Sequence, residues 1–156
     1  MSIDCKQLKN LVIIPALTAL NLCSDNAVKL MLGTCAQETL LGTYLAQVNG
    51  GSNGGLGIYQ MQKETFEDIC DNVIDHNPTY HEAILNLGYE QIKFESIAYD
   101  LQLATMLARL VYARQSERLP IDLPGMAAYY KKYYNTPLGA ATEQEFIDNY
   151  NRYVIC

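Results

Sequence analysis

Gly33-Thr-Cys-Ala-Gln-Glu-Thr-Leu-Leu-Gly42, followed after a glycine-rich stretch by Gly57-Ile-Tyr-Gln-Met61, decides how this chain reads. One carboxylate, Glu38, stands in a run that is otherwise apolar or small. At ~100° per residue it shares a helical stripe with Met31, Cys35, Gly42 and Leu45, which aims its side chain into apolar surroundings. A carboxyl held there resists ionisation, and its pKa moves toward neutrality, where a general acid can donate a proton. The competing reading is a glutamate that bends its head to solvent or finds a basic partner.

The Ser24-Asp25-Asn26 cluster caps the helix that carries Glu38, and the apolar pattern runs it to about Val48. Leu30, Met31, Leu32, Leu40, Leu41, Tyr44 and Leu45 leave no wide polar face, as in a buried central helix. A first helix covers about residues 6–22. Residues 49–57 hold five of the ten glycines, a stretch that lets backbone approach something closely or turns a corner. Only 56–61 resembles a strand. Further helices are expected over 63–74, from Asn77-Pro78, over 96–114, over 123–134 behind an Asp122 cap, and after the capping box Thr142-Glu-Gln-Glu145, with Phe146, Tyr150 and Tyr153 inward. The expected fold is one mainly α domain over 1–156, with a small β element beside a cleft.

At 156 residues the chain can bury about two-thirds of its unfolded surface. Acidic residues outnumber basic ones 17 to 11, for a net charge of −6, and no Lys/Arg cluster forms. Nucleic acid is therefore not expected as a partner, because phosphate binding needs a basic footprint. The five cysteines are odd in number and irregularly spaced, and no convincing export signal precedes them, so free thiols in a reducing compartment are expected. Lys6 and Lys9 ahead of the apolar run 11–20 imitate a signal peptide, but Asp4 spoils the basic flank, Pro15 interrupts the run, and Asn21-Leu22 lacks small residues. That run is also too short to cross a bilayer, so no stable membrane insertion is expected.

Gln37-Glu38-Thr39 on a central helix, Gly57-Ile58-Tyr59-Gln60-Met61 after a glycine-rich loop, and Tyr133-Tyr134-Asn135 followed by Gly139 stand in the order of three motifs. In this the chain resembles the lysozyme-fold lytic transglycosylases, which write them as Glu-Ser, Gly-Leu-Met-Gln and Ala-Tyr-Asn-x-Gly. The resemblance spans residues 30–140 and is nearest to the small tail- or virion-associated versions of bacteriophages. It implies an α+β lysozyme-like fold whose central buried helix carries the catalytic glutamate, with a glycan cleft beside a short strand or loop region. Glu38 then protonates the glycosidic oxygen, Tyr134 hydrogen-bonds its carboxyl, and Gln60 with neighbouring backbone holds the N-acetyl sugars. Thr39, Gly57, Ile58, Tyr59, Met61 and Asn135 are carried over as substrate-binding positions. The implied partners are peptidoglycan glycan strands and other virion or tail proteins. The implied location is synthesis in a bacterial host cytoplasm without a signal peptide, then action on the wall from a virion.

Departures from the family pattern are local. Thr39 keeps the hydroxyl of the usual serine, Tyr59 replaces a methionine, and Pro137 with Leu138 push Gly139 away from Asn135. Glycoside cleavage passes through an oxocarbenium-like state and commonly uses two carboxylates. Glu64, Glu67 and Asp68 are the available second members, but an acidic run at a helix start more often serves the helix dipole. Without a second carboxylate, the substrate's own N-acetyl group supplies the nucleophile. A hydrolase with a second carboxylate, and a non-catalytic wall-binding or structural virion module, are the alternatives. Among the twelve tyrosines, Tyr129, Tyr130, Tyr133 and Tyr134 lie close enough in sequence to offer rings to sugar faces, although most are expected to pack in the core or rim. Cys70, His76 and His81 lack a fourth ligand at any recognised spacing, and Cys35 on a buried stripe reads as a small hydrophobe. No metal or other cofactor is therefore expected.

Overall fold

The computed structural model describes residues 1–156. Helix α1 is one rod wound in three registers: α over Cys5–Gln7, π over Leu8–Ile13, and α again over Ile14–Ala19. Asp4 caps it, accepting from the Gln7 N–H at 3.0 Å. Pro15 has no N–H for the preceding turn, and the wide π turns lie directly ahead of it. Helix α2 covers Asp25–Thr39 behind the expected Ser24 cap, whose hydroxyl accepts from Ala27 N–H at 3.2 Å. It is the central helix, with Leu30, Met31, Cys35 and Ala36 fully buried.

The end of α2 departs from expectation. It stops at Thr39, well short of Val48, because Leu40, Leu41 and Gly42 all take left-handed φ (52°, 59° and 76°). Thr39 closes the end. Its hydroxyl donates to the Ile58 carbonyl at 2.8 Å and accepts from the Gly42 N–H at 3.0 Å. The reversal buries Leu41 and leaves Tyr44, Leu45 and Val48 exposed, so the apolar pattern ran on past the helix it began in.

Helix α3 is Lys63–Ile69 with a π extension Cys70–Ile74, and α4 is Pro78–Asn86, capped by Asn77. A 3-10 turn, Phe94–Ala98, precedes α5, Leu101–Ala113. The expected helix from Ser96 is broken because Asp100 caps a fresh start, accepting from Leu103 N–H at 2.9 Å. Helix α6 is Leu123–Tyr130 with a π extension Lys131–Asn135, and α7 is Glu143–Tyr153 behind the Thr142 capping box. The molecule is mainly helical, 62% against 2% strand, so the β element reduces to two antiparallel bridges, Ala46 with Leu56 and Leu56 with Met61. No helix is long and apolar enough to cross a membrane.

Helix α2 packs on α7 through Gly33, where an added Cβ would lie 2.4 Å from Phe146 Cζ. Phe146 is fully buried, whereas Tyr150 and Tyr153 are only half-buried. The packing brings the end of the chain beside its beginning, and Cys5 and Cys156 form a disulfide with Cα atoms 5.6 Å apart. The expectation of five free thiols is thus corrected: Cys23, Cys35 and Cys70 are free, but the terminal pair is joined.

On the buried face of α5, Arg109 is only 6% exposed, and its Nε and Nη1 have no hydrogen-bond partner. Uncompensated buried donors cost more than an apolar side chain of similar length. Arg109→Met should therefore raise the midpoint of thermal unfolding, with a gain of about 1–2 kcal/mol read by calorimetry. A lower midpoint would show that the guanidinium has partners after all.

Candidate active site

Glu38 sits in the last turn of α2, half-buried. Burial raises its carboxyl from the ordinary glutamate range to about 7, while a hydrogen bond from Tyr130 pulls the other way. The Tyr130 hydroxyl donates to Glu38 Oε1 at 2.6 Å. Its ring is itself buried against Phe146, 5.0 Å between centroids. A carboxyl so placed is partly protonated near neutrality and held in one orientation.

The segment Gly57-Ile58-Tyr59-Gln60 forms the turn between Leu56 and Met61, whose backbone groups exchange two hydrogen bonds of 3.0 Å. Gly57 has φ of 73°, and an added Cβ would stand 2.4 Å from the Ile97 carbonyl oxygen. Gln60 is also left-handed, at φ 47°, and its side-chain amide donates to Gly57 O at 2.9 Å. The turn is fastened from two sides: Ile58 O accepts from Thr39, and Tyr59 O accepts from the Tyr134 hydroxyl, both at 2.8 Å. The first bond ties it to the helix that carries Glu38, and the second to the π extension of α6.

The expected substrate-binding residues differ in how much surface they keep. Thr39, Gly57, Ile58 and Tyr59 are buried and scaffold the turn, and Met61, also buried, borders the cavity beside it. The Tyr59 hydroxyl is used internally, accepting from Thr105 at 3.3 Å. Gln60, Tyr134 and Asn135 are half-buried and keep some accessible surface.

Tyr134 does not bond the Glu38 carboxyl. Its ring stacks on that of Tyr130, 6.0 Å between centroids, but its hydroxyl goes to Tyr59 O, and Tyr130 meets the carboxylate in its place. The π winding of 131–135 accompanies this division of labour, since it alters the register between the two rings. Gly139 is not driven off Asn135 either. Lys131 Nζ donates to Asn135 Oδ1 at 2.8 Å and to Gly139 O at 2.6 Å, and a Cβ on Gly139 would touch Asn135 Oδ1 at 2.3 Å. Sequence reasoning missed Lys131, and it read Tyr130 as a ring for sugar faces rather than as the partner of Glu38. Their signal was faint: a second tyrosine one helical turn ahead of Tyr134, and a lysine four residues before Asn135.

The other carboxylates near the turn in sequence are occupied or solvated. Asp68 pairs with Arg114, whose guanidinium holds it below the usual carboxylate range, and also accepts from Asn72 at 2.8 Å. Glu67 lies 3.8 Å from Lys63, and Glu64 is exposed. A cavity of about 130 Å³ opens beside the turn, lined by Gln60, Met61, Thr65, Arg114, Tyr133 and Tyr134 among others. No three of the His, Cys, Asp and Glu side chains gather as a metal-holding group. No family model, curated protein or solved structure matches the chain.

Proposed function

We propose that this chain is a peptidoglycan lytic transglycosylase that cleaves the MurNAc–GlcNAc β-1,4 bond, with Glu38 as general acid and then base. The observation that carries the reading is the Glu38 carboxyl, half-buried, raised to about 7 and oriented by Tyr130 beside the fastened 57–60 turn. In this reading the fold is lysozyme-like, and the glycan lies in a cleft along Glu38, Gln60 and Tyr134. Glycan strands are its substrate, and tail or virion proteins its carriers.

Protonated Glu38 gives its proton to the glycosidic oxygen as the bond breaks, and positive charge develops at the sugar carbon. The carboxylate left behind stabilises that charge and then accepts a proton from the incoming nucleophile. Asp68 is held by Arg114, and Glu64 and Glu67 face solvent, so no second carboxylate in this set is spare to activate water. The muramoyl C6 hydroxyl is already tethered close to the reacting carbon, and such tethering reaches effective concentrations on the order of 10⁵ M. Digests should therefore yield 1,6-anhydro-N-acetylmuramic ends and no new reducing sugar, read by mass spectrometry of fragments from purified peptidoglycan. Reducing MurNAc at nearly every new end would replace this reading with hydrolysis.

Tyr130→Phe probes the same carboxyl. The lost hydrogen bond favours the ionised form, so its removal raises the Glu38 pKa further. A general acid works below its pKa, so the alkaline limb of the rate profile should move about one pH unit upward, with the maximal rate reduced about tenfold as the carboxyl loses its orientation. A profile that stays in place, measured by turbidity clearance across pH, would remove Tyr130 from the mechanism.

A further inference from the structure

A second cavity, of about 270 Å³, lies between α3 with its π extension, α4 and residues 89–92, and shares no residue with the cleft beside Gln60. Its apolar surface comes from Phe66, Ile74, Ile84 and Ile92. Four carboxylate residues at its exposed rim also line it, Glu67, Asp71, Asp75 and Glu90, with His81 beside them and no lysine or arginine. Glu67 has a solvated neighbour in Lys63 at 3.8 Å, whereas Asp71, Asp75 and Glu90 make no ion pair.

We propose that this cavity binds a primary ammonium carried on an unbranched aliphatic chain, with the chain against the isoleucines and the ammonium among the carboxylates. The two halves of the cavity ask for the two halves of such a ligand. The apolar floor gains from excluding water, and a small cavity with one apolar side suits a short linear chain. Like charges gathered at the rim repel one another, an effect that solvent screens, and one cation among them relieves that repulsion. Burial, and then the Asp71, Asp75 and Glu67 carboxylates, push the Cys70 thiol in the wall up to about 12, so it stays protonated and offers no competing charge. A neutral chain leaves the carboxylates uncompensated, and a bare metal ion leaves the floor unfilled. The site stands apart from Glu38 and is independent of the cleavage reading.

The test is titration of the intact protein, followed by backbone NMR, with n-pentylammonium, with n-pentanol as its neutral counterpart, with Nα-acetyl-lysine methylamide as the peptide-borne form, and with calcium. Saturable shifts at Ile84 and Ile92 are expected with pentylammonium and not with pentanol. Asp71→Asn combined with Glu90→Gln should weaken that binding at least about tenfold. Binding of both amines assigns the site to a lysine-type side chain of a peptide, and binding of pentylammonium alone assigns it to small amines. Equal binding of pentanol, no saturation by millimolar amine, or displacement of the amine by stoichiometric calcium overturns the proposal. The wild-type comparison of amine with alcohol decides the matter even if the double variant fails to fold.

Discussion

Glu38→Gln leaves peptidoglycan uncut and yet melts higher than its parent at pH 8. The amide keeps the shape of the side chain and accepts the Tyr130 hydroxyl as the carboxylate did, so neither cavity nor orphaned donor results. It has no proton to transfer, and clearance of wall suspensions should fall at least about a thousandfold, toward background. The stability change follows from the raised pKa of about 7. A folded-state pKa above the unfolded value means that Glu38 favours the fold most when protonated, below about 4.3, and that this contribution is lost as pH rises through about 7. The ceiling on that loss is on the order of 3 kcal/mol, reduced by solvent screening at the exposed edge of the carboxylate. The variant, which has no such titration, should match the parent near pH 4 and exceed it by up to about that amount at pH 8. Denaturant melts at the two pH values separate this from a general stabilisation. Equal differences at both would mean that Glu38 is solvated, and retained clearance would end the catalytic assignment.

Gly57→Ala is expected to damage fold and site together. A φ of 73° costs an L residue about 1–2 kcal/mol, and the new methyl would stand 2.4 Å from the Ile97 carbonyl oxygen, backbone that cannot rotate away. Together these predict a loss of about 3 kcal/mol or more, and the turn that presents Gln60 must shift. Gly51→Ala is the matched control. Its φ is 60°, but nothing lies within 4 Å of the added methyl, so it should cost only about 1–2 kcal/mol. Chemical denaturation of the pair measures the difference. If the two variants lose the same amount, the close approach at Ile97 is not what fixes Gly57.

The parts of this fold that depend on near neighbours could be read from the chain. Ser24, Asn77, Asp122 and Thr142 each cap a helix within three residues of themselves, and each was legible for that reason. The end of α2 was not. Leu40 and Leu41 continue the apolar pattern, and what stops the helix includes the bond from Thr39 to Ile58, a carbonyl 19 positions away in sequence. The site divides in the same manner. Glu38 stood out because a carboxylate in an apolar run is locally conspicuous, and burial indeed moves its pKa upward. The choice between Tyr130 and Tyr134 as its partner turns on a π-wound segment and a carbonyl of Tyr59, neither of which any local pattern encodes. Gly139 met Asn135 through Lys131, a bridge that the intervening Pro137 and Leu138 concealed.

The bond between Cys5 and Cys156 has a mechanical meaning. Pulled from its two ends, an ordinary domain carries the load through its core, and helices peel away one after another. Here the sulfur bridge spans 151 positions, and tension applied at residues 5 and 156 passes straight through it. Everything between hangs as a slack loop. The core, the turn and Glu38 stay unloaded while the tether holds, and a thiol reductant would be what first lets force reach them.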